Sequence, residues 1–265
     1  MTYDPKQMLL EVTALAREAG RAILEVYASS FSVQEKEDRS PLTEADLRSE
    51  KLILAGLKRI SPEIPVLSEE AAQQPFSTRR NWSRLWIVDP LDGTREFVQR
   101  NGEFTVNIAL VDNHRPVLGI VHAPVLERTY YACDGVGAFR SDREATGQAI
   151  RVARRGPGPL RVVGSRSHRG SSLDAFLERV GSHEFVEVGS SLKLCLVAEG
   201  LADVYPRMGP TSEWDTAAGQ CVLEQAGGHV LKLDGEPLEY NRENTLNPNF
   251  VGFADADTDW LALLR

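Results

Sequence analysis

The run Trp86-Ile87-Val88-Asp89-Pro90-Leu91-Asp92-Gly93-Thr94 constrains this chain more than any other, because an apolar strand leads directly into two acids separated by Pro-Leu. Proline has a fixed φ and no N–H, so the strand is expected to stop at Pro90. Asp89 and Asp92 are then left at its mouth, with the Leu91 carbonyl free to coordinate. Gly93-Thr94 permits a tight turn, and Arg95-Glu96-Phe97-Val98 can begin a short helix whose unpaired N–H groups suit a phosphate. Carboxylates beside an anion-binding helix end point to magnesium and phosphate.

At 265 residues, 42% of them hydrophobic, the chain can bury a substantial core as one large domain or two smaller ones. A formal charge of −8 argues against broad nucleic-acid binding, so an anionic ligand must be met by a local basic pocket. No apolar stretch approaches the about 18 residues of a membrane span. The start, Met1-Thr-Tyr-Asp-Pro-Lys6, lacks the regions of a signal peptide, which makes a cytoplasmic location the expectation. Cys133, Cys195 and Cys221 are scattered and odd in number, which favours neither a disulfide framework nor a zinc site.

Leu9, Val12, Ala16, Ala19, Ile23 and Val26 recur at helical spacing, predicting an amphipathic helix over residues 5–27. After a polar segment, Thr43-Glu-Ala-Asp46 resembles a capping box opening a second helix, closed by Pro62 and Pro65. A polar connection follows Glu70. Residues 86–88, 104–111, 117–122 and 129–132 then read as strands. Gly and Pro in residues 154–159 mark a boundary, giving halves of 1–155 and 156–265. In the second half, 160–164 and 185–188 read as strands, and 173–180, 190–199 and 215–226 as helices. Strands and helices in blocks favour a layered α/β or α+β architecture over a doubly wound nucleotide fold.

Acids stand out at Glu69-Glu70, Asp89, Asp92 and Asp215. Each has a plain reading on its own: Asp215 as a helix cap, Asp92-Gly93 as a hairpin turn, Glu69-Glu70 as a solvated loop. Brought together they would repel one another, and such a cluster is stable near neutral pH mainly when cations neutralise it. Oxygen donors without His or Cys favour Mg²⁺ over zinc. Two such ions about 4 Å apart suit an in-line phosphoryl displacement.

Asp-Pro-Leu-Asp-Gly-Thr, with Ser68-Glu69-Glu70 before it and Trp214-Asp215-Thr216-Ala217-Ala218-Gly219 after it, resembles the lithium-sensitive, Mg²⁺-dependent inositol monophosphatase superfamily. The resemblance spans nearly the whole chain. It implies a sandwich of alternating helix and sheet layers, of the kind shared with fructose-1,6-bisphosphatase. It also implies two or three Mg²⁺ per site, held by Glu69, Asp89, the Leu91 carbonyl, Asp92 and Asp215, with Glu70 behind them. Thr94, helped by Asp46, would orient the attacking water together with Glu69, and the Gly93 and Thr94 amides would hold the scissile phosphate. Helix capping for Asp46 and helix initiation for Thr94 stand as alternatives. Direct hydrolysis without a phosphoenzyme follows.

Ser190 and Lys193, three apart at an expected helix start, offer a second anion site, and Arg207 in Tyr205-Pro206-Arg207 adds a fork for a phosphate. Solvated surface charge is the alternative for either cation alone. A serine/lysine nucleophile pair is another reading of Ser-x-x-Lys, with no accompanying motif. Gly189-Ser-Ser-Leu-Lys193, Tyr-Pro-Arg and Gly164-Ser-Arg-Ser-His168 resemble the 3′(2′),5′-bisphosphate nucleotidase branch of the superfamily. That implies a bisphosphorylated nucleotide substrate, adenosine 3′,5′-bisphosphate converted to AMP and phosphate in a clearance step associated with sulfate assimilation, with His168 lining the nucleoside pocket. The competing readings are an inositol or sugar monophosphatase and a noncatalytic phosphometabolite-binding regulator. The resemblance is compatible with a homodimer and with peripheral attachment to the cytoplasmic face of the inner membrane, although no anchor is visible.

Overall fold

The computed structural model describes residues 4–36, 40–72, 74–143, 145–165 and 170–264. Five layers follow one another. Helices α1 (Pro5–Tyr27) and α2 (Glu44–Ile60) cover one face of a seven-stranded sheet ordered β3-β4-β5-β6-β7-β8-β9. These strands are β3 (Val66–Ser68), β4 (Arg84–Asp92), β5 (Thr105–Asp112), β6 (Arg115–Ala123), β7 (Arg128–Cys133), β8 (Gly137–Asp142) and β9 (Gln148–Ala149). Helices α6 (Leu192–Ala198) and α7 (Glu213–Gln225) lie between its other face and a second sheet, ordered β11-β10-β12-β14-β13. That sheet comprises β10 (Leu160–Gly164), β11 (His183–Glu187), β12 (Val204–Arg207), β13 (His229–Lys232) and β14 (Phe250–Phe253). Helices α5 (Ser171–Val180) and α8 (Trp260–Leu264) close the far side.

The alternating strand pattern builds these layers. Trp86 and Val88 point into the core beneath α1 and α2, and Leu85 and Ile87 into the core shared with α6 and α7. Among the described residues no helix is long and apolar enough to cross a membrane. Close approach of α7 depends on Gly119 of β6, where a Cβ would lie 2.5 Å from the Ala218 carbonyl oxygen.

The expected helix over 5–27 is α1, capped by Asp4. α2 begins at the expected capping box, with Thr43 and Asp46 bonded reciprocally. Three expectations need correction. β4 does not stop at Pro90: it continues to Asp92, which pairs with Thr105, across a register irregularity between Asp89 and Asp92. A bulge absorbs the missing N–H, since β3 ends its pairing at Ser68↔Val88 and only β5 flanks β4 beyond that point. The polar connection after Glu70 contains a short helix, α3 (Phe76–Arg79), whose buried Arg79 donates to Asn241 Oδ1 at 3.0 Å and to the Arg242 carbonyl at 3.2 Å. Helix α6 starts at Leu192, not at Ser190, because Ser190 has φ 56° and cannot belong to a right-handed helix. A short antiparallel pair, β1 (Val33–Glu35) with β2 (Pro41–Thr43), lies in the polar segment before α2.

Candidate active site

Four elements end at one place. β3 runs parallel to β4 in the register Ser68↔Val88, and Glu69 N–H still donates to the Val88 carbonyl at 3.2 Å, so Glu69 emerges beside Asp89. The first turn of α7 brings Asp215 to the same spot, and carboxylate oxygens of Glu69, Asp89 and Asp215 all lie within 4.8 Å of one another. Asp92, at the end of β4, acts on this group through its charge, which raises the pKa of all three. Asp46, in the first turn of α2, forms the fourth wall: its Oδ1 accepts from Thr94 Oγ1 at 3.2 Å and its Oδ2 from the Thr43 N–H at 2.7 Å.

Electrostatics mark the cluster as built for a cation. Burial, reinforced by Glu69, Asp92 and Asp215, holds the Asp89 carboxyl well above the usual carboxylate range. Asp215 is pushed up to about 8 by burial and then by Asp92. Glu70 reaches about 7 through burial, with Glu69 adding to the rise against the hydrogen bond from Lys36. Asp89 Oδ2 is buried and carries no hydrogen bond, while Oδ1 accepts from the Leu91 N–H at 3.1 Å. An orphaned carboxylate oxygen in an all-oxygen donor set fits a hard divalent ion such as Mg²⁺. The Lys36 ammonium stands on Glu69 Oε1 at 2.8 Å and on Glu70 Oε1 at 2.5 Å, supplying positive charge from the β1–β2 connection. Burial alone would lower the Lys36 pKa, but the two carboxylates raise it.

A cavity of about 260 Å³ meets this cluster at Asp215, and Asp92, Gly93, Thr94, Ser190, Lys193 and Arg207 also line it. Gly93 adopts φ 92°, a left-handed conformation that turns the chain into α4 (Thr94–Val98). Lys193 is buried, with Nζ donating to the Ser190 carbonyl and lying 5.7 Å from the Tyr205 ring centre, and burial brings its pKa down to about 8. Arg207 donates from Nη2 to the Pro210 carbonyl at 2.7 Å, while its Nε is buried without a partner. Ser190 turns its hydroxyl toward Asp92 Oδ2 at 2.7 Å. His168 lies outside the described residues.

Three contributors carry no local signal in the sequence. Lys36 sits in a polar segment, and Thr105 and Asn107 reach the serine partners of Asp92 only through the fold. Glu213 is the converse, an acid beside Asp215 that serves structure: fully buried, it accepts from the N–H groups of Asn241 at 2.7 Å and Arg242 at 2.8 Å and anchors the start of α7.

The model of the inositol monophosphatase family matches residues 4–261. The curated 3′(2′),5′-bisphosphate nucleotidase CysQ of Salmonella typhimurium is 49% identical over 246 residues, which cover 92% of this chain and 98% of the relative. The protein of the same name from Escherichia coli strain K12 is 48% identical over the same length. Among solved structures, CysQ from Bacteroides thetaiotaomicron superposes with a TM-score of 0.84 at 41% identity, covering 95% of this chain and 98% of that one.

Proposed function

The chain belongs to the inositol monophosphatase family, and on that footing we propose that it is a Mg²⁺-dependent 3′(2′),5′-bisphosphate nucleotidase converting adenosine 3′,5′-bisphosphate to AMP and phosphate. The corresponding 5′-phosphosulfate is a second substrate. One observation carries the reading: a single cavity holds two of the acids, Asp92 and Asp215, together with two cations, Lys193 and Arg207, so that one phosphate can lie at the acids while another meets the cations.

Glu69, Asp89, Asp92, Asp215 and the Leu91 carbonyl would hold two or three Mg²⁺, with Glu70 behind them. Bound there, the ions supply Lewis acidity that neutralises phosphate charge and acidifies water. The chain does the rest. Thr94 Oγ1 directs its one proton between Asp46 Oδ1 at 3.2 Å and the Leu91 carbonyl at 3.3 Å, which leaves its lone pairs to accept from a water on the cavity side. Burial raises the Asp46 pKa, which makes that carboxylate a better proton acceptor. Glu69 orients the same water, and the Gly93 and Thr94 amides receive the scissile phosphate. The buried Arg207 Nε is a donor awaiting an acceptor, and a second phosphate provides one.

Two measurements test this. With Mg²⁺ present, adenosine 3′,5′-bisphosphate is hydrolysed with the highest kcat/KM in a panel containing inositol 1-phosphate and fructose 1,6-bisphosphate; preference for the inositol ester would make the chain a monophosphatase instead. Single-turnover hydrolysis in ¹⁸O water labels the phosphate and no protein carboxylate, whereas a trapped aspartyl phosphate excludes direct attack.

A further inference from the structure

Ser190 and Ser191 meet one carboxylate oxygen. Ser190 Oγ donates to Asp92 Oδ2 at 2.7 Å and Ser191 Oγ to the same atom at 2.6 Å. Neighbouring side chains in ordinary extended or helical backbone diverge. Here they converge because Ser190, a non-glycine residue, is held at φ 56°, in the left-handed region. Backbone outliers of this kind persist where surrounding structure enforces them, and they concentrate at functional sites. The surroundings do enforce this one. Thr105 and Ser190 hydroxyls lie 2.6 Å apart, Asn107 Nδ2 donates to Ser191 Oγ at 2.8 Å, and Lys193 Nζ caps the Ser190 carbonyl.

The proton inventory assigns directions. Asp92 Oδ2 is acceptor to both serines. The Thr105 proton faces two acceptors, Ser190 Oγ at 2.6 Å and Asn107 Oδ1 at 3.0 Å, and when Ser190 gives its one proton to Asp92, Thr105 is the member of the pair left to donate. Ser191 can offer its single proton either to Asp92 or to the Asp215 carbonyl at 2.7 Å, and Asn107 fills its acceptor position. Asp92 Oδ2 is thus ringed by the two hydroxyls of the loop before α6 and by Asn107 Nδ2 at 3.5 Å, and none of these groups engages Oδ1. Ser191 also ties an acid of the first sheet to the backbone of an acid on α7.

We propose that Ser190 and Ser191 are positioning residues that fix the Asp92 carboxylate so that Oδ1 alone is presented to the cation cluster, the left-handed Ser190 being the device that aims both hydroxyls. The role rests on the nucleotidase reading, in which Asp92 is a ligand. Ser190 therefore acts on the acids rather than gripping the substrate phosphate directly.

Glycine relieves the left-handed conformation and removes the hydroxyl, so Ser190→Gly separates the two effects. In EDTA the variant should melt at or above the wild-type temperature. Its kcat should fall at least tenfold with KM within twofold, and calorimetric Mg²⁺ titration should show at least fivefold weaker binding. Ser191→Ala should weaken Mg²⁺ binding and lower kcat in the same way, and Ser191→Thr, which keeps the hydroxyl, should restore both. Wild-type kcat and Mg²⁺ affinity in Ser190→Gly and Ser191→Ala, with Asp92→Asn inactive, overturns the positioning role and leaves the nucleotidase reading standing. Loss of melting temperature in proportion to activity overturns it as well, since that is ordinary structural damage. A wild-type protein that hydrolyses no bisphosphorylated nucleotide sinks the reading beneath it.

Discussion

Thr94 Oγ1 donates to Asp46 Oδ1 at 3.2 Å, while the other oxygen of that carboxylate accepts both the backbone N–H and the hydroxyl of Thr43 at 2.7 Å. Asp46 therefore caps α2 and tethers Thr94 at once, so capping does not compete with the role proposed for the pair. Substitution can separate them. Thr94→Val keeps the shape and leaves the α2 cap alone, so stability should change by less than about 1 kcal/mol while kcat falls about 100-fold or more. Asp46→Ala should lower both, the lost cap contributing about 1 kcal/mol. Urea unfolding beside steady-state kinetics checks the pair; full turnover in Thr94→Val would remove Thr94 from the mechanism.

Arg207→Glu should raise KM for adenosine 3′,5′-bisphosphate about 100-fold, equivalent to about 2.7 kcal/mol, because a forked donor becomes a repelling carboxylate. Hydrolysis of a small monophosphate should be nearly spared. Equal losses on the two substrates contradict the assignment of Arg207 to the second phosphate.

Cation binding should release protons. Without a bound ion, Asp215 at about 8 and Glu70 at about 7 retain protons over much of the neutral range. Coordination requires the ionised form, so Mg²⁺ affinity should rise from pH 6 to pH 8. Calorimetry at pH 7 in buffers of different ionisation enthalpy reads this directly, and an enthalpy independent of buffer refutes it.

His122, on β6 against Gly20 of α1, makes stability depend on pH as well. Burial, and then the charge of Arg17, lowers its pKa from 6.5 to about 4. The unfolded chain therefore binds a proton between those values that the folded chain refuses. Stability is complete above pH 6.5 and is lost as pH falls toward 4, by up to about 3 kcal/mol. His122→Gln should flatten this acidic limb in denaturant titrations at pH 4.5 and pH 7. An identical slope in both proteins would falsify the attribution.

Legibility in the sequence tracked the range of the interactions. α1 shows its apolar stripe at helical period, and the start of α2 is written in the Thr43–Asp46 capping box, both of them local signals. Strands of the large sheet were readable where they alternate or run apolar, as from Trp86 to Val88. β1 was not, because its three residues are exposed and its pairing is with β2, across the polar segment. Continuation of β4 through Pro90 was hidden for another reason: proline forbids one hydrogen bond, and only the neighbouring strand reveals that the bond is not needed there. The acids at 69, 89, 92 and 215 could be singled out by type and motif. That Lys36 meets Glu69 and Glu70, or that Asn107 bonds to Ser191, depends on long-range placement for which no local pattern exists.

α7 lies between the two sheets and delivers Asp215 to a cluster whose other members all precede residue 93. During synthesis, a chain halted before residue 213 already carries the whole seven-stranded sheet and, at its rim, a concentration of negative charge that Lys36 offsets in part. It already holds Lys193 and Arg207 but lacks the helix that closes the cluster. Assembly of the centre therefore waits on the arrival of Asp215, and truncation after the first sheet leaves an acidic rim with no chemistry to perform.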